Sequence, residues 1–379
     1  MNVIDMLSFP MQTKPPSKRE ARSKSSSTPR DVIRMCFNES QYGMSPYAMQ
    51  ALVESAGEGN HYQDWFAVQL KQAIAEHFDV SPMQLVTASG SSAVIDMIGT
   101  VFLNPGDEVV FCMPTYEAFK EVAYDYGAVC ITPPLDENNC YDLDAMLEKI
   151  TDKTKMVVVC NPNNPTGTYV PAEKLEAFIR KVPDHVLTII DEAYMEYAEA
   201  PDCTSVVHML REGYDKPLII LKTFSKIYGL AGVRVGYGIM PEAIADHLLK
   251  STHGWNLSRL GEYAATAAMK DQAFIEGVKV RNARNRAYVS RELEKLGCIV
   301  TPSQTSFVYF DAHIPPAELR AQLAEYKILI SAFDKSRVSL GKEEQNDIFL
   351  DSLNDIMKGS KKKSVLLAAR ELDALKAIG

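Results

Sequence analysis

The sequence predicts an α/β fold in which helices cover both faces of a largely parallel sheet. From about Tyr62 onward, segments with the helical spacing of apolar residues alternate with short, continuous apolar runs. Such runs are typical of strands buried on both faces, and parallel strands need a crossover, usually a helix, between them. Sheets of this kind bind ligands beyond the carboxyl ends of their strands, so we expect functional residues in the loops that follow the strands.

The elements follow one another in a regular order. Residues 67–78 have helical spacing, and a turn at residues 88–90 leads into a second helical segment, 92–102. The turn Asn104-Pro105-Gly106-Asp107 precedes the first clear buried strand at residues 108–112. Further short apolar runs predict strands at residues 156–160, 187–190, 218–221 and 235–240.

The character of the chain changes past about Trp255. Long charged helices come first, notably residues 262–296, and a pair of short strands follows at 299–301 and 306–310. We therefore predict a second, smaller domain of the α+β type. The predicted division is a large domain at 60–255, a small domain at 31–59 and 256–358, a flexible arm at 1–30, and a basic linker with a C-terminal helix at 359–379.

Composition narrows the classes of function. The 379 residues are 46% hydrophobic and 23% charged, as in ordinary globular proteins. The net charge of -9 argues against general binding to nucleic acid or to an anionic membrane, because both favour a basic surface. The seven cysteines have no metal-ligand spacing, so we expect no metal site and a reducing compartment, the cytoplasm. No apolar stretch reaches the length of a membrane span.

The most informative segment runs from Thr223 to Gly236 and contains Lys226. It follows a predicted strand, so the lysine amine would project at the carboxyl edge of the sheet. A lysine there can form a Schiff base if burial or neighbouring cations lower its pKa. Arg234, eight residues later, suits bidentate binding of a phosphate. Taken alone, the segment is equally well explained as a surface lysine on a turn.

Three other loops carry polar residues at comparable positions. Asn164 lies in Asn161-Pro162-Asn163-Asn164-Pro165-Thr166-Gly167, after the strand at 156–160. Asp191 ends the next strand, and a carboxylate at that depth needs a partner such as a pyridinium N–H. The stretch Ser89-Gly90-Ser91-Ser92 opens a helix, whose free N–H groups and dipole favour a phosphate. Individually these segments are typical of a turn, a helix cap and an N-cap.

Together, in order and spacing, these segments resemble the class I/II aminotransferases, pyridoxal phosphate enzymes of fold type I, and most of all the histidinol-phosphate aminotransferase-like branch. The resemblance covers roughly residues 31–355 and rests on N-P-x-N-P-T-G, D-E-A-Y and S-K-x-x-x-L-A-G-x-R. It implies a three-layer α/β/α large domain with a smaller α+β domain. It also implies pyridoxal 5'-phosphate as cofactor and a homodimer with composite active sites.

The resemblance assigns roles residue by residue. Lys226 is implied as the Schiff-base lysine and proton shuttle, and Asp191 as the partner of the pyridine nitrogen. Asn164 and Tyr194 are implied to bond the phenolic oxygen and so to keep the Schiff base pKa low. Tyr116 takes the position of the aromatic side chain that stacks on the cofactor ring. The phosphate is implied to be held by Gly90, Ser91, Ser92, Thr223, Ser225 and Arg234.

Three more positions match residues of the family, two of them in segments that depart from the family pattern. Arg337, in R-V-S-x-G, matches the arginine that grips the α-carboxylate of the substrate. Tyr62 matches the tyrosine that reaches the phosphate of the neighbouring subunit, although Gln63 replaces the usual proline. Tyr42, in Asn38-Glu39-Ser40-Gln41-Tyr42-Gly43, is expected to line the substrate entrance, although Ser40 and Gln41 depart from the N-E-N-P-Y-G of the family.

The amino donor is less constrained. Enzymes of this branch that act on histidinol phosphate carry an arginine where Ile330 or Ser331 falls here, and the segment from there to Arg337 is short. A phosphate without that partner would lose on the order of 2–5 kcal/mol, or two to three powers of ten in affinity. We therefore expect an aromatic or other apolar amino acid, accommodated by Tyr42, Trp65 and Trp255, with 2-oxoglutarate as acceptor.

Three alternatives stay open at this point. One is histidinol phosphate itself, and another is a decarboxylase or lyase on the same scaffold, since these enzymes share the Schiff base. The third is a non-enzymatic regulator with an aminotransferase-like ligand domain. Such a regulator needs a DNA-binding domain, and the thirty residues before Asp31 are too few and too rich in turn residues for one.

Overall fold

The computed structural model describes residues 32–252 and 254–359. We number its helices and strands in chain order. The helices are α1 Pro46–Ser55, α2 Val68–Phe78, α3 Ser91–Phe102, α4 Ala118–Asp125, α5 Leu143–Glu148, α6 Ala172–Lys181, α7 Val207–Arg211, α8 Glu242–Lys250, α9 Arg259–Lys270, α10 Gln272–Lys295, α11 Pro316–Glu325 and α12 Glu343–Met357. The strands are β1 Ile33–Arg34, β2 Leu85–Ala88, β3 Glu108–Val110, β4 Val129–Ile131, β5 Thr154–Cys160, β6 Leu187–Asp191, β7 Leu218–Thr223, β8 Gly236–Ile239, β9 Ile299–Thr301, β10 Phe307–Asp311, β11 Ile328–Leu329, β12 Ser331–Ala332 and β13 Ser336–Ser339.

The main sheet has seven strands in the order β2-β8-β7-β6-β5-β3-β4. Every pairing among β7, β6, β5, β3 and β4 is parallel, and β8 is antiparallel to both of its neighbours. The predicted class, an α/β fold with a mostly parallel sheet, is therefore confirmed. The sequence did not reveal that β8 reverses direction, because a short apolar run carries no sign of the direction in which it pairs.

Two apolar cores sandwich this sheet, because its central strands are buried on both faces. On one face, side chains such as Val157 and Ile220 pack with helices that include α2, α6 and α9. On the other face, side chains such as Val158 and Ile219 pack with α3, α4 and α8. Alternate residues of one strand thus enter opposite cores, as the two-residue period of a strand requires.

A second, smaller unit surrounds a sheet of the order β12-β13-β10-β9, whose pairings are antiparallel. Strands β1 and β11 form a separate parallel pair nearby in the same apolar cluster, in which Met35 and Ile328 meet residues of α10, α11 and α12. The N-terminal segment therefore joins elements that lie almost 300 residues further along the chain. We propose that this segment belongs to the small domain, as the sequence predicts.

Local differences from the expected elements have clear causes. The predicted helix at 262–296 is two helices, because Asp271 leaves helical geometry and caps α10 by accepting from the amide of Phe274. Alanines of α9 pack in the core of the main sheet, although the sequence suggests a domain boundary near 255. The expected arm at 1–30 and the C-terminal helix lie outside the described residues. No helix within the described ranges has the length and apolar character to span a bilayer.

Candidate active site

A cavity of about 510 Å³ lies where the main sheet meets the smaller unit. Its volume is typical of pockets that hold a small molecule or cofactor. The loops after β2, β3, β5, β6 and β7 form one side, at the carboxyl edge of the parallel strands, where such sheets bind ligands. The segment after β1 and the hairpin of β12 and β13 close the opposite side.

Lys226 extends into this cavity from the loop after β7. Burial, followed by the positive charge of Arg337, lowers the pKa of its amine from 10.5 to about 8. Its Nζ donates to the backbone carbonyl of Phe37 at 3.2 Å. With this pKa roughly one amine in ten is neutral at pH 7, and only a neutral amine can attack a carbonyl group.

Asp191 ends β6 with its carboxylate fully buried beneath the cavity. Burial raises its pKa to about 6, while the backbone amide of Ala193, which donates to Oδ1 at 3.1 Å, opposes this shift. A buried carboxylate that faces a cavity favours a ligand that brings a proton or a positive charge. The N–H of a pyridinium ring meets that requirement.

Next to Asp191, the chain is held by a buried ion triad. Lys222 Nζ lies 3.0 Å from a Glu192 carboxylate oxygen and 2.9 Å from one of Glu196. Burial alone lowers the pKa of this lysine, but the attraction of the two carboxylates outweighs burial and raises it. Because Glu192 and Glu196 flank Tyr194 in sequence, the triad fixes the loop on which Asp191 and Tyr194 stand.

A phosphate cradle forms at the start of α3. Gly90 caps this helix with φ of 92°, and no side chain satisfies the first amides of the helix, which line the cavity at Ser91 and Ser92. L side chains rarely adopt this φ, and a Cβ on Gly90 would also displace the guanidinium of Arg234, one of whose nitrogens would lie 2.3 Å from it. Free amides, the helix dipole and a guanidinium are together what a phosphate binds best.

Residues of the loop after β7 complete the cradle. Arg234 donates to the hydroxyl of Ser225 at 3.4 Å and to the carbonyl of Ala231 at 2.9 Å. Thr223 accepts from the backbone amide of Ser225 at 3.1 Å and also lines the cavity. The structure thus brings together all the side chains from which the sequence predicts phosphate binding within one chain.

Arg337 lies on the far side of the cavity and is almost completely buried. Its guanidinium donates to Oδ1 of Asn164, to the carbonyl of Cys36 at 2.6 Å and to Oγ of Ser331 at 2.9 Å. The rings of Phe307 and Phe333 lie 5.2 and 5.0 Å from its central carbon. Within the described part of the chain its Nε has no hydrogen-bond partner, so a buried donor remains for an anionic ligand.

Two tyrosines frame the cavity between these groups. Tyr194 is buried, and its hydroxyl accepts from the side-chain amide of Asn38 at 2.9 Å. Burial raises its pKa, which keeps the phenol protonated and able to donate. Tyr116 approaches the hydroxyl of Ser92 at 3.4 Å and exposes a ring to the cavity, as a stacking residue would.

Tyr42 and Tyr62 do not line the cavity of their own chain. Tyr42 is partly buried and packs against the core of the main sheet, where its hydroxyl accepts from Asn285 at 2.8 Å and its ring lies beneath Arg281. The expectation that Tyr42 lines the entrance is therefore not met by its position here. Tyr62 is 75% exposed and stacks on Trp255 with ring centroids 4.6 Å apart.

Other lining residues were not singled out by the sequence. Cys36, Phe37, Asn38 and Glu39 line the cavity from the segment after β1. Of these four, Asn38 and Glu39 belong to the N-E-S-Q-Y-G stretch, in which the sequence points to Tyr42 instead. Trp65 and Trp255, which the sequence suggests as pocket residues, lie outside the cavity with their ring centroids 4.2 Å apart. The apolar lining comes instead from Phe37 and Phe333.

The residues present fit pyridoxal 5'-phosphate group by group. The cavity offers an amine for its aldehyde, a buried carboxylate for its ring nitrogen and a cradle for its phosphate. Asn164 and Tyr194 also line the cavity, and their amide and phenol groups can donate hydrogen bonds to the phenolic oxygen of the cofactor. Among the described residues, no cluster of His, Cys, Asp and Glu could hold a metal ion.

Comparisons with known proteins agree with this geometry. The family described as aminotransferase class I and II matches residues 30–353. A histidinol-phosphate aminotransferase of Geobacillus sp. (strain WCH70) is 37% identical over 334 residues, which cover 86% of this chain and 91% of that protein. One of Brevibacillus brevis is also 37% identical, over 338 residues that cover 88% and 92%. The crystal structure of histidinol-phosphate aminotransferase from Sinorhizobium meliloti in complex with pyridoxal-5'-phosphate superposes with a TM-score of 0.86 at 26% identity, covering 94% of this chain and 98% of that one.

Proposed function

The chain belongs to the class I and II aminotransferases, enzymes that use pyridoxal phosphate to move amino groups, and on that premise we propose the residues and the substrate with which it does so. The proposal starts from Lys226 as the covalent anchor of the cofactor. The observation that carries it is a lysine with a pKa lowered to about 8, in one cavity with the buried carboxylate of Asp191 and the phosphate cradle of α3.

Each group of the cofactor has a proposed partner. The bound cofactor supplies an aldehyde that condenses with amines and a ring that withdraws electrons from the carbon bearing the amine. Asp191 holds a proton on the ring nitrogen, and Tyr116 packs on the ring face. Asn164 and Tyr194 donate to the phenolic oxygen. The phosphate is held by the start of α3 and by Thr223, Ser225 and Arg234.

Two residues act on the substrate. The Nζ of Lys226 would hold the cofactor and, as a free amine, would act as the base that removes the proton at the amine-bearing carbon of the substrate. Arg337 binds an anionic group next to that carbon. Because Arg337 also donates to Asn164, the substrate anion and the cofactor are oriented by one hydrogen-bonded unit.

Histidinol phosphate is the first candidate for the amino donor. The support comes from the relatives, two of which are named for this substrate and are 37% identical over more than four fifths of this chain. Histidinol phosphate has no carboxylate; a phosphate ester, linked through a CH₂ group to the amine-bearing carbon, takes its place. Arg337 offers that phosphate a buried guanidinium with a free Nε. Histidinol phosphate, which the sequence leaves open as an alternative, is therefore better supported as the amino donor than an apolar amino acid.

An aromatic or other apolar amino acid, with 2-oxoglutarate as acceptor, remains the second candidate because of the β12–β13 hairpin. Ser331 is the residue beside Arg337, and its hydroxyl is engaged by Arg337 and by the carbonyl of Cys36 at 2.8 Å. Phe333 and Phe37 give this wall an apolar character. On the substrate side of the cavity the described residues offer one guanidinium, which a single carboxylate can satisfy.

Steady-state kinetics decides between the two candidates. We expect kcat/KM for histidinol phosphate to exceed that for phenylalanine, tyrosine and leucine by roughly tenfold or more, the scale on which a charged contact discriminates. The variant Ser331→Arg serves as an internal comparison. If it raises kcat/KM for histidinol phosphate at the expense of a better apolar substrate of the unaltered enzyme, the second candidate is correct.

We further propose a homodimer in which Tyr62 completes the phosphate site of the other subunit. Its exposed ring is held by Trp255, which in turn packs on Trp65, so the aromatic group is positioned without contacting the cavity of its own chain. For the location of the enzyme we propose a reducing compartment, the cytoplasm, since all seven cysteines are free thiols.

A further inference from the structure

The segment after β1 reaches the cavity mainly through its backbone. The carbonyl of Cys36 accepts from Arg337, and the carbonyl of Phe37 accepts from Lys226. The next residue, Asn38, is only 2% exposed and adopts a left-handed conformation with φ of 55°. That conformation is rare for residues other than glycine and asparagine, and it turns the Asn38 side chain toward Tyr194.

The hydrogen bonds of Asn38 fix the orientation of its amide. The backbone N–H of Asn38 donates to Oγ of Ser339 at 2.9 Å, so this hydroxyl oxygen is an acceptor there. The hydroxyl proton of Ser339 then needs an acceptor, and Oδ1 of Asn38 lies 2.7 Å away. The amide oxygen of Asn38 therefore faces Ser339, and its NH₂ group faces Tyr194 at 2.9 Å.

This orientation decides the direction of the Tyr194 proton. An amide NH₂ can only donate, so the phenol oxygen of Tyr194 accepts from Asn38 and its own proton points elsewhere. Within the described ranges no hydrogen bond takes up that proton, and the phenol borders the cavity. A donor held in this way is preorganised for an oxygen atom that carries negative charge.

We propose that Asn38 is a positioning residue that aims the Tyr194 proton at the phenolic oxygen of the cofactor. This inference rests on the proposed attachment of the cofactor to Lys226. A hydrogen bond to the phenolic oxygen withdraws negative charge that would otherwise hold a proton on the neighbouring Lys226 nitrogen. Asn38 therefore lowers the pH at which that nitrogen loses its proton, and it does so through Tyr194 alone.

The same chain of contacts connects the two parts of the site. Ser339 and Arg337 are two residues apart on β13, so their side chains project from the same face of the strand. Through Asn38, the hydroxyl of Tyr194 is thus joined by hydrogen bonds to the strand that carries Arg337.

The test is a spectrophotometric pH titration of the holoenzyme, in which the visible band of the bound cofactor reports the proton on the Lys226 nitrogen. The variant Asn38→Gly removes the amide without straining the backbone, since glycine tolerates φ of 55°. We expect the titration midpoint to rise by roughly half to one pH unit, the equivalent of one ordinary hydrogen bond. The value of kcat should fall by about three- to tenfold.

The control is the same change in a Tyr194→Phe background. If Asn38 acts through the tyrosine, Asn38→Gly shifts the midpoint of Tyr194→Phe no further, and the two effects are not additive. An equal shift in both backgrounds, or no shift in either, overturns the proposal. Should Asn38→Gly fail to fold, Ser339→Ala frees the amide to rotate and must raise the midpoint in the same direction, or the proposal is wrong.

The outcome is distinguishable from a failure of the proposed function. If borohydride leaves no cofactor on Lys226 of the unaltered enzyme, the attachment itself is wrong. If the cofactor is on Lys226 and Tyr194→Phe raises the midpoint while Asn38→Gly leaves it unchanged, only the role of Asn38 is wrong.

Discussion

The lowered pKa of Lys226 makes a quantitative prediction for the capture of cofactor by the apoenzyme. A lysine with its ordinary pKa near 10.5 is neutral in roughly 0.03% of molecules at pH 7. With the pKa at about 8, as burial and the charge of Arg337 set it here, roughly one molecule in ten is neutral. The reactive fraction at pH 7 is therefore about 300 times larger than for an exposed lysine.

The sign of the pH dependence follows from the same shift. The rate of capture should rise about tenfold per pH unit at low pH and level off above pH 8. An ordinary lysine would reach its plateau only at a higher pH. Stopped-flow measurement of the growing visible band, from pH 6 to 10, records this profile. A free primary amine measured in the same buffers corrects for the titration of the cofactor itself.

Arg337→Gln tests the cause of the shift, because Arg337 is the largest charge contribution that lowers the pKa of Lys226. The plateau should move to higher pH, and capture at pH 7 should slow. Arg291→Gln makes the same chemical change in an exposed ion pair far along α10 and should leave the profile unaltered. A rate that climbs steadily to pH 10, or equal profiles for the two variants, would refute the reasoning.

Three further predictions follow from the remaining parts of the site. Asp191→Asn should still bind the cofactor but lose turnover by roughly 10²-fold or more, as when a preorganised electrostatic contact is removed, and activity within a few-fold of the unaltered enzyme would leave Asp191 a structural role only. Mixing Lys226→Ala with Tyr62→Phe subunits should give more activity than the sum of the two preparations, because one site of each heterodimer is intact, whereas a fully active monomer would contradict this. Gly236→Ala should weaken cofactor binding and lower Tm, because its Cβ would meet a backbone nitrogen at the start of α3 at 2.1 Å, while Gly232→Ala, with open space around it, should do neither.

The parts of this site that the sequence predicted share one property. Asp191 is the last residue of a strand, and Asn164 and Lys226 lie within a few residues of the end of one, so the order of elements along the chain is enough to bring them to the same sheet edge. The reversed strand β8 does not disturb this arrangement, because Arg234 stands in the loop that precedes it. For residues of this kind, secondary structure and position in a loop carry most of the information.

The contacts that could not be predicted from the sequence join residues that lie far apart along the chain. Asn38 reaches Ser339 across 301 residues, and its left-handed conformation has no marker in the neighbouring sequence. Tyr42, four residues further on, does not line the cavity and packs against the core of the main sheet. The sequence motif points to its aromatic residue, Tyr42. In the folded chain the contacts at the cavity come instead from the side-chain amide of Asn38 and the backbone just before it.

The central claim of this account is that Lys226 carries the cofactor, and reduction of the holoenzyme with borohydride tests it most directly. Reduction turns the bond between lysine and cofactor into a stable amine, so proteolysis and mass spectrometry locate the label. We predict loss of the visible band and a phosphopyridoxyl group on the peptide that contains Lys226, with none in Lys226→Ala. A label on another lysine, or undiminished labelling of Lys226→Ala, would contradict the account.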